Sequence, residues 1–261
     1  MSDKRRTFAV IDGNSLMHRA FHAVPPTMNA PDGRPTNAIF GFLNMFLKMI
    51  DAFNPDGVVV AFDKGKPRVR MEMLPQYKAQ RPPMDPDLHA QFPMIKELLT
   101  ALNVPILQSE GWEGDDILGT VAARDEALGY RTLLVSGDKD VYQLCSELTH
   151  VVTTRKGITD VAIYGPGEVR ERYGVEPSQF PDFLGLKGDS SDNIPGVPGV
   201  GEKTALDLIR RFESLDGVYE HIDDKAIKPG VRAKLSANEP SARMSRELAE
   251  ICCTAPIPTE A

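Results

Sequence analysis

Cysteine and tryptophan are scarce in this 261-residue chain, which holds three Cys and one Trp. Cys145, Cys252 and Cys253 form no CxxC pair and no zinc-ligand spacing, and neighbours such as Cys252 and Cys253 rarely bridge each other. A reducing, cytoplasmic setting is the expectation. Long apolar runs are missing too. A membrane-spanning helix needs about 18 or more apolar residues; the run at 57–62 stops short and Lys48 interrupts another, so no membrane role is expected. The opening Met1-Ser-Asp-Lys-Arg-Arg is polar and leads straight into a strand-like run, which is unlike a signal peptide. Positive charge is also in deficit. Lys and Arg number 30 against 37 Asp and Glu, a net charge of −7. By sum alone, that balance argues against a nucleic-acid partner. With 41% hydrophobic and 26% charged residues, wholesale disorder is excluded. The length suits one large domain or a domain with an appendage.

The first two thirds alternate strand-like and helix-like segments. Segments 7–11, 57–62, 104–107 and 132–135 read as buried strands. Between them, Ile39, Leu43, Phe46, Ile50 and Phe53 fall on one helical stripe, and Leu118, Val121 and Ala122 on another. This alternation predicts an α/β domain with a mostly parallel sheet. Beyond about Gly165 no convincing strand is legible, only short helical patterns at 166–172, 177–186, 202–212, 214–220, 229–237 and 240–252. The expected organisation is an α/β core over 1–165, a helical subdomain over 166–253 and a Pro-containing tail over 254–261.

Each strand is followed by acid. Asp12 follows the first and Asp63 the second; the third leads to Glu113, Asp115 and Asp116, the fourth to Asp138 and Asp140. Ligands of open parallel sheets bind at the carboxyl ends of the strands. Any one of these acids reads equally well as a helix cap, as Asp12 does for a helix near Ser15. Seven carboxylates on one edge would repel each other unless a cation offset them. An all-oxygen set without His or Cys suits Mg²⁺ or Mn²⁺. Asp189 and Asp192, three apart in Lys187-Gly-Asp-Ser-Ser-Asp-Asn-Ile-Pro, would alone be a loop feature; with the other seven they suggest a two-metal site that clamps a phosphodiester. His18 and His22 are four apart but lack the Glu of HExxH, so a structural or surface role is expected, as is core packing for Trp112.

Two segments suit phosphate. Gly196-Val-Pro-Gly199-Val-Gly201-Glu-Lys203-Thr204-Ala has the form of a helix–hairpin–helix turn, within about 185–212. Its glycines permit tight turns, the following helix N-terminus offers N–H groups to a phosphate, and Lys203 adds charge. The alternative is an ordinary Gly-rich helix connection; a P-loop is excluded by the spacing. The second segment, 64–83, carries Lys64, Lys66, Arg68, Arg70, Lys78 and Arg81 against Glu72 alone. A charge run is commonly just a solvated face, but its place directly after Asp63 suggests a basic arch over about 64–95. Tyr77 offers a stacking surface for a base, and Arg19 lies one helix after Asp12.

The strings Ile11-Asp-Gly-Asn-Ser15 with His18-Arg19, Ala61-Phe-Asp63, Tyr77-Lys78-x-x-Arg81, Glu113-Gly-Asp-Asp116, Ser136-Gly-Asp-Lys-Asp140 and Gly188-Asp-Ser-Ser-Asp192-Asn-Ile-Pro-Gly-Val occur in that order. Together they resemble the flap endonuclease family, and within it the bacterial 5′-nucleases that form the N-terminal domain of DNA polymerase I, over roughly residues 7–252. The resemblance implies a PIN-like α/β core, a helical arch and a helix–hairpin–helix. It implies Mg²⁺- or Mn²⁺-dependent removal of 5′ flaps and 5′-terminal nucleotides at single-strand/duplex junctions, including RNA–DNA primer junctions, in replication and repair. Asp12, Asp63, Glu113, Asp115, Asp116, Asp138, Asp140, Asp189 and Asp192 match the family's metal carboxylates. Lys78 and Arg81 match arch residues at the scissile phosphate. Gly199, Gly201, Lys203 and Thr204 match the duplex-binding hairpin, which in the family also takes K⁺ through its carbonyls. Proofreading and polymerase domains are not encoded here, so the expectation is a free-standing monomeric 5′-nuclease or a piece of a polymerase, working beside a linked or separate DNA polymerase. The rivals are a PIN-type ribonuclease, a phosphatase of another α/β fold, and a catalytically weak structure-specific DNA-binding protein of the same fold. The first would lack the hairpin and arch, the second leaves Asp189 and Asp192 unexplained, and the third should have lost carboxylates.

The nine assigned acids also reinterpret the charge. Setting them aside from the 37 leaves 28 acids against 30 bases, so the acidic total is the mark of a metal site and the positive charge sits at 64–81 and near Lys203.

Overall fold

The computed structural model describes residues 5–154 and 161–258. In chain order the strands and α-helices are β1 (Thr7–Asp12), α1 (Gly13–Ala23), α2 (Asn37–Phe53), β2 (Gly57–Ala61), α3 (Arg68–Met73), α4 (Pro86–Ala101), β3 (Ile106–Leu107), α5 (Gly114–Ala127), β4 (Arg131–Val135), β5 (Thr149–Thr154), β6 (Val161–Tyr164), α6 (Pro166–Tyr173), α7 (Phe180–Lys187), α8 (Glu202–Phe212), α9 (Leu215–Glu220), α10 (Pro229–Ala237) and α11 (Glu239–Ala249). They form two compact units. One takes the described residues of Met1–Lys66, Pro83–Gly165 and Cys252–Ala261; the other takes Pro67–Pro82 and Pro166–Ile251. No helix among the described residues is long and apolar enough to cross a membrane.

The first unit is a six-stranded sheet in the order β3-β2-β1-β4-β5-β6. All pairs are parallel except β5 with β6. The apolar runs of β1, β2 and β4 are those legible in the sequence, and near-continuous apolar strands are what a sheet covered on both faces requires. Register fixes the functional edge. Asp12 pairs with Ala61 and Ile11 with Val135, so the carboxyl ends of the three central strands lie level. The strand order reverses between β1 and β4, and at such a switch point loops part and leave a crevice.

The core joins Ile11, Val60 and Phe62 to Met17 and Ala20 of α1, Phe42, Phe46 and Met49 of α2, and Ile95 and Leu99 of α4. A polar bolt lies inside it. Gln91, fully buried, accepts the N–H groups of Ala38 (2.8 Å) and Ile39 (3.2 Å) and donates to Asn37 Oδ1 (3.0 Å). It does for α2 what the helix's own N-cap, Thr36, does not, since the first N–H groups of a helix lack internal partners. At the sheet edge, a Cβ on Gly13 would run into the Phe62 ring, so only glycine lets β1 turn directly into α1.

The second unit is helical. Phe180, Leu184, Leu186, Ala205, Leu208, Ile209, Val218, Leu235, Ala242 and Leu248 are buried in it. Gly188, at φ +76°, opens the loop between α7 and α8; a Cβ there would meet the Ile194 carbonyl oxygen at 2.6 Å. The loop then closes by reciprocal bonds between Asp189 and Ile194, 2.9 and 2.7 Å.

Several expectations need correction. The arch over 64–95 is not one element: its 67–82 portion, with the short α3, belongs to the helical unit, and α4 to the α/β unit. Residues 254–258 of the expected tail are packed, with Ala255 and Ile257 buried and the Ala255 N–H bonded to Thr120 Oγ1 at 2.9 Å. Residues 259–261 lie outside the described residues. Two strands, β5 and β6, were not legible.

Candidate active site

Asp12 ends β1 and N-caps α1. Its Oδ1 accepts the Ser15 N–H at 2.8 Å and its Oδ2 the Ser136 hydroxyl at 2.7 Å. The carboxyl is buried and its pKa is pushed up to about 7. Burial is the main cause, partly opposed by the bonds from Ser15 and Ser136 and reinforced by the charges of Asp63 and Asp138. Asp63 is exposed, two residues past β2. Its Oδ1 accepts the Gly114 N–H at 2.6 Å, its own N–H donates to Asn14 Oδ1 at 3.0 Å, and its carbonyl accepts Gln108 Nε2 at 3.1 Å. Gly114 marks the meeting place: a Cβ there would lie 3.2 Å from Asp63 Oδ1 and 4.0 Å from Asp12 Oδ1. Asp138 follows β4; its N–H donates to Ser136 Oγ at 3.1 Å and its Oδ1 accepts the Asp140 N–H at 3.0 Å, opening a 3₁₀ turn at Asp140–Leu144.

The α5 terminus supplies three more acids. Glu113 and Asp116 form a reciprocal capping box, in which the Glu113 N–H donates to Asp116 Oδ2 at 3.2 Å. Asp116 is fully buried and its Oδ1 accepts the Cys252 N–H at 3.0 Å. Both its oxygens therefore hold backbone. Asp115 sits half-buried in the same turn. Arg19 reaches this edge: one of its guanidinium nitrogens is 3.6 Å from where a Cβ on Gly137 would stand.

One residue was missed. Lys96, on α4, lies with its ammonium 4.9 Å from the Phe62 ring centre. Burial lowers its pKa, Asp63 opposes that shift, and Lys64 adds to it. Its only sequence signal is a lysine on a helix bounded by proline and acid, which is too common to single out.

In the helical unit, the basic and aromatic residues of 67–82 are not one exposed patch. Arg70 is buried and donates from Nε to the Leu248 carbonyl (3.1 Å) and from Nη2 to the Glu250 carbonyl (3.0 Å). It satisfies carbonyls that the end of α11 leaves open, which corrects its expected part in a nucleic-acid surface. Tyr77 is buried and its hydroxyl donates to Asp192 Oδ2 at 3.0 Å. No base can stack on it there, which corrects that expectation. Lys78 Nζ stands 3.5 Å from Asp192 Oδ2, and the Arg81 guanidinium pairs with Asp192 Oδ1. Asp189 Oδ1 accepts the N–H and hydroxyl of Ser191, both at 2.7 Å. Lys66 and Arg68 are exposed; Lys64, exposed, pairs with Glu110 at 3.9 Å.

The glycine-rich loop precedes α8. Gly201 is the N-cap and has no side chain to satisfy the first turn, while Gly199 takes φ +79° and its carbonyl accepts Lys234 Nζ at 2.9 Å. Lys203 and Thr204 line a cleft of about 210 Å³ with Asp207 and Lys228.

Among the described residues no three carboxylate, imidazole or thiolate groups close into a ready ligand cage. The chemistry of the α/β edge still matches a hard divalent cation. Its donors are all oxygen, and Asp63 and Asp138 press on the Asp12 carboxyl with negative charge that a cation would relieve.

Comparison with known proteins bears on the family and the fold. Residues 7–174 match the model of the 5′-3′ exonuclease N-terminal resolvase-like domain, and residues 175–261 that of the 5′-3′ exonuclease C-terminal SAM fold. The chain is 45% identical over 254 residues to DNA polymerase I of Bacillus subtilis and 38% identical over 252 residues to that of Mycobacterium tuberculosis. These matches cover 97% and 96% of this chain but 29% and 28% of the relatives, so the chain spans less than a third of their length. Among solved structures, a complex of the bacteriophage T5 flap endonuclease with DNA and metal ions has the same fold, with a TM-score of 0.74 and 24% identity, over 95% of this chain and 90% of that one. The catalytic core of Rad2 in complex with DNA is more distant, with a TM-score of 0.56 and 15% identity, over 94% of this chain and 78% of that one.

Proposed function

Since the chain belongs to the 5′-3′ exonuclease family, we propose that it is a structure-specific 5′-nuclease, an exonuclease and flap endonuclease that hydrolyses phosphodiesters of DNA and of RNA–DNA primer junctions in the cytoplasm, with Mg²⁺ or Mn²⁺ as cofactor. The observation that carries the reading is Asp12: a carboxyl buried at the switch point of a parallel sheet, pushed up to about 7 and facing the charges of Asp63 and Asp138. A fold does not keep such a cluster for stability, because it costs energy until a cation arrives.

Two divalent cations, when bound, supply a neutralising clamp on the scissile phosphate and lower the pKa of a water. The chain's part is to hold and orient. Asp12, Asp63 and Asp138 present oxygens, and the N–H of Gly114 and the hydroxyl of Ser136 fix the angle of two of those carboxylates. Glu113, Asp115 and Asp140 are assigned to the same cations from the sequence motifs alone, and Asp189 to a cation from its own motif. Lys78 and Arg81 offset charge that gathers on the phosphate oxygens. Lys64, Lys66, Arg68, Lys203 and Thr204 hold backbone phosphates, and Arg19 is available to a phosphate at the carboxylate edge. At the hairpin the Lys234 ammonium already serves the Gly199 carbonyl, so a bound K⁺ would use other carbonyls. A DNA polymerase, linked or separate, is the partner that creates such flaps.

The test is cleavage of a labelled 5′-flap duplex with product sizing, with Mg²⁺ and with EDTA. Mg²⁺-dependent release of the flap, leaving a 5′-phosphate on the remaining strand, supports the reading. Binding without cleavage in saturating Mg²⁺ would leave a DNA-binding module instead.

A further inference from the structure

Trp112, the chain's single tryptophan, directly precedes Glu113 and is partly exposed, not sealed in the core as its sequence context suggested. A short ladder holds it there. Past β2 the chain runs beside β3 and the residues after it. The Phe62 N–H donates to the Leu107 carbonyl at 3.0 Å, Gln108 Nε2 to the Asp63 carbonyl at 3.1 Å, and the Gly111 N–H to the Lys64 carbonyl at 2.9 Å. A turn closed by the Trp112 N–H on the Ser109 carbonyl, 3.2 Å, then brings Trp112 into an antiparallel bridge with Lys64. Residues directly opposite in such a pair share a face, with Cβ atoms about 5 Å apart. The indole and the Lys64 stem therefore leave the backbone side by side. A second ammonium joins them from α4. Lys96 Nζ lies 4.9 Å from the centre of the Phe62 ring, and its charge is drawn by Asp63 and repelled by Lys64.

We propose that Trp112, Lys64 and Lys96 form a subsite for one unpaired nucleotide of the substrate, with the indole stacked on its base and the two ammonium groups flanking its phosphate. The charges argue for an anion. Two lysines near enough to repel each other become partners once a phosphate lies between them. The Glu110 carboxylate, 3.9 Å from Lys64 and exposed, is a surface partner that salt screens and a phosphate can replace. The indole argues for a base. An aromatic face beside positive charge is the combination that holds single strands, and stacking accepts any base. Inside a duplex the faces of a base are already covered by its neighbours, so only an unpaired nucleotide can use this one. The ladder between 62–64 and 107–112 fixes the backbone of Trp112 and Lys64 before the nucleotide arrives, which lowers the cost of ordering them. The subsite rests on the nuclease reading only in taking a substrate with an unpaired strand; it adds Trp112 and Lys96 to that reading.

The emission of a single tryptophan reports on Trp112 alone. In EDTA, where nothing is cleaved, the full chain is titrated with a duplex carrying a 5′ single-stranded flap and with the same duplex lacking the flap, and affinity is read from the anisotropy of a label on the duplex. The flap duplex is expected to quench Trp112 at least twice as strongly at saturation as the flapless one. Trp112→Leu and Lys96→Met are each expected to weaken binding of the flap duplex at least threefold beyond any effect on the flapless duplex. A quench ratio below two, or a flap-specific loss below threefold in either variant, overturns the subsite. The quench is read on wild type, so that arm decides alone should a variant fail to fold. Cleavage plays no part. A protein that gives the quench but never cleaves keeps the subsite and loses the nuclease reading, and one that cleaves without the quench loses the subsite alone.

Discussion

The main-chain N–H of Cys252 donates to Oδ1 of Asp116 over 3.0 Å, while the other oxygen of Asp116 accepts the N–H of Glu113 at 3.2 Å. One fully buried carboxylate thus ties the start of α5 to the returning C-terminal segment. Leaving a buried N–H unpaired costs about 1–3 kcal/mol. Asp116→Ala, with two N–H groups orphaned, is expected to lower the unfolding free energy in urea by at least that much in EDTA. Lys66→Ala, at an exposed site, should change it by less than about 1 kcal/mol. Equal stabilities in the two variants would show that Asp116 is not a structural anchor.

Asp12 predicts a pH dependence of known sign. Its carboxyl is pushed up to about 7 from 3.8, so between those values the folded protein holds a proton that the unfolded chain has released. In cation-free protein this group's contribution to stability therefore falls as pH rises through that window, by on the order of a few kcal/mol. Asp12→Asn keeps a good N-cap and removes the titration. In EDTA the variant should be more stable than wild type at pH 8, with the advantage fading toward pH 4. A difference between the two proteins that stays constant from pH 4 to pH 8 would contradict the assignment.

Arg70 is expected to behave as a structural residue among binding ones. Its loss removes charge-assisted bonds to two carbonyls at the end of α11, each kind worth about 1.5–3 kcal/mol. Arg70→Ala should unfold at clearly lower denaturant, and Arg70→Lys should not restore it, because an ammonium lacks the fork that spans two carbonyls. Lys66→Ala should leave stability unchanged while reducing the salt dependence of DNA binding. If Arg70→Ala is as stable as Lys66→Ala, the buried role is wrong.

Lys96 places a positive charge beside Asp63. Removing it lessens repulsion toward a cation at that edge. Lys96→Met is expected to bind Mn²⁺ two- to tenfold more tightly by calorimetry; weaker binding would mean that the ammonium holds Asp63 in place for the cation.

Why some of this was legible in the sequence and some was not has a physical basis. Asp12 and Asp63 could be read because β1 and β2 announce themselves as apolar β-branched runs, and a parallel sheet brings the residues just past its strands to one edge. Arg70 and Tyr77 could not be read, because the groups that bury them are far along the chain: carbonyls at Leu248 and Glu250 for one, the Asp192 carboxylate for the other. Local composition showed only a basic stretch with an aromatic in it. Likewise β5, Thr-His-Val-Val-Thr-Thr, is β-branched at five of six positions and so favours a strand, but four of the six are polar, so it lacks the continuous apolar run by which β1, β2 and β4 are recognised; its place between β4 and β6 is set by pairing. The packed tail is the same lesson in reverse: Ala255 and Ile257 are too few to predict burial, yet the N–H of Ala255 finds Thr120.

Single-turnover cleavage of a 5′-flap duplex by Asp138→Ala and Asp63→Ala in saturating Mg²⁺, set against their affinity for the same duplex, tests the central claim most directly. Neither side chain is buried in the core, so both variants should fold. The account predicts that cleavage falls by about a hundred- to a thousandfold, in line with what one charge-stabilising group contributes to such reactions, while affinity stays within about tenfold, since binding rests on separate phosphate contacts. Cleavage at the wild-type rate in either variant would contradict it.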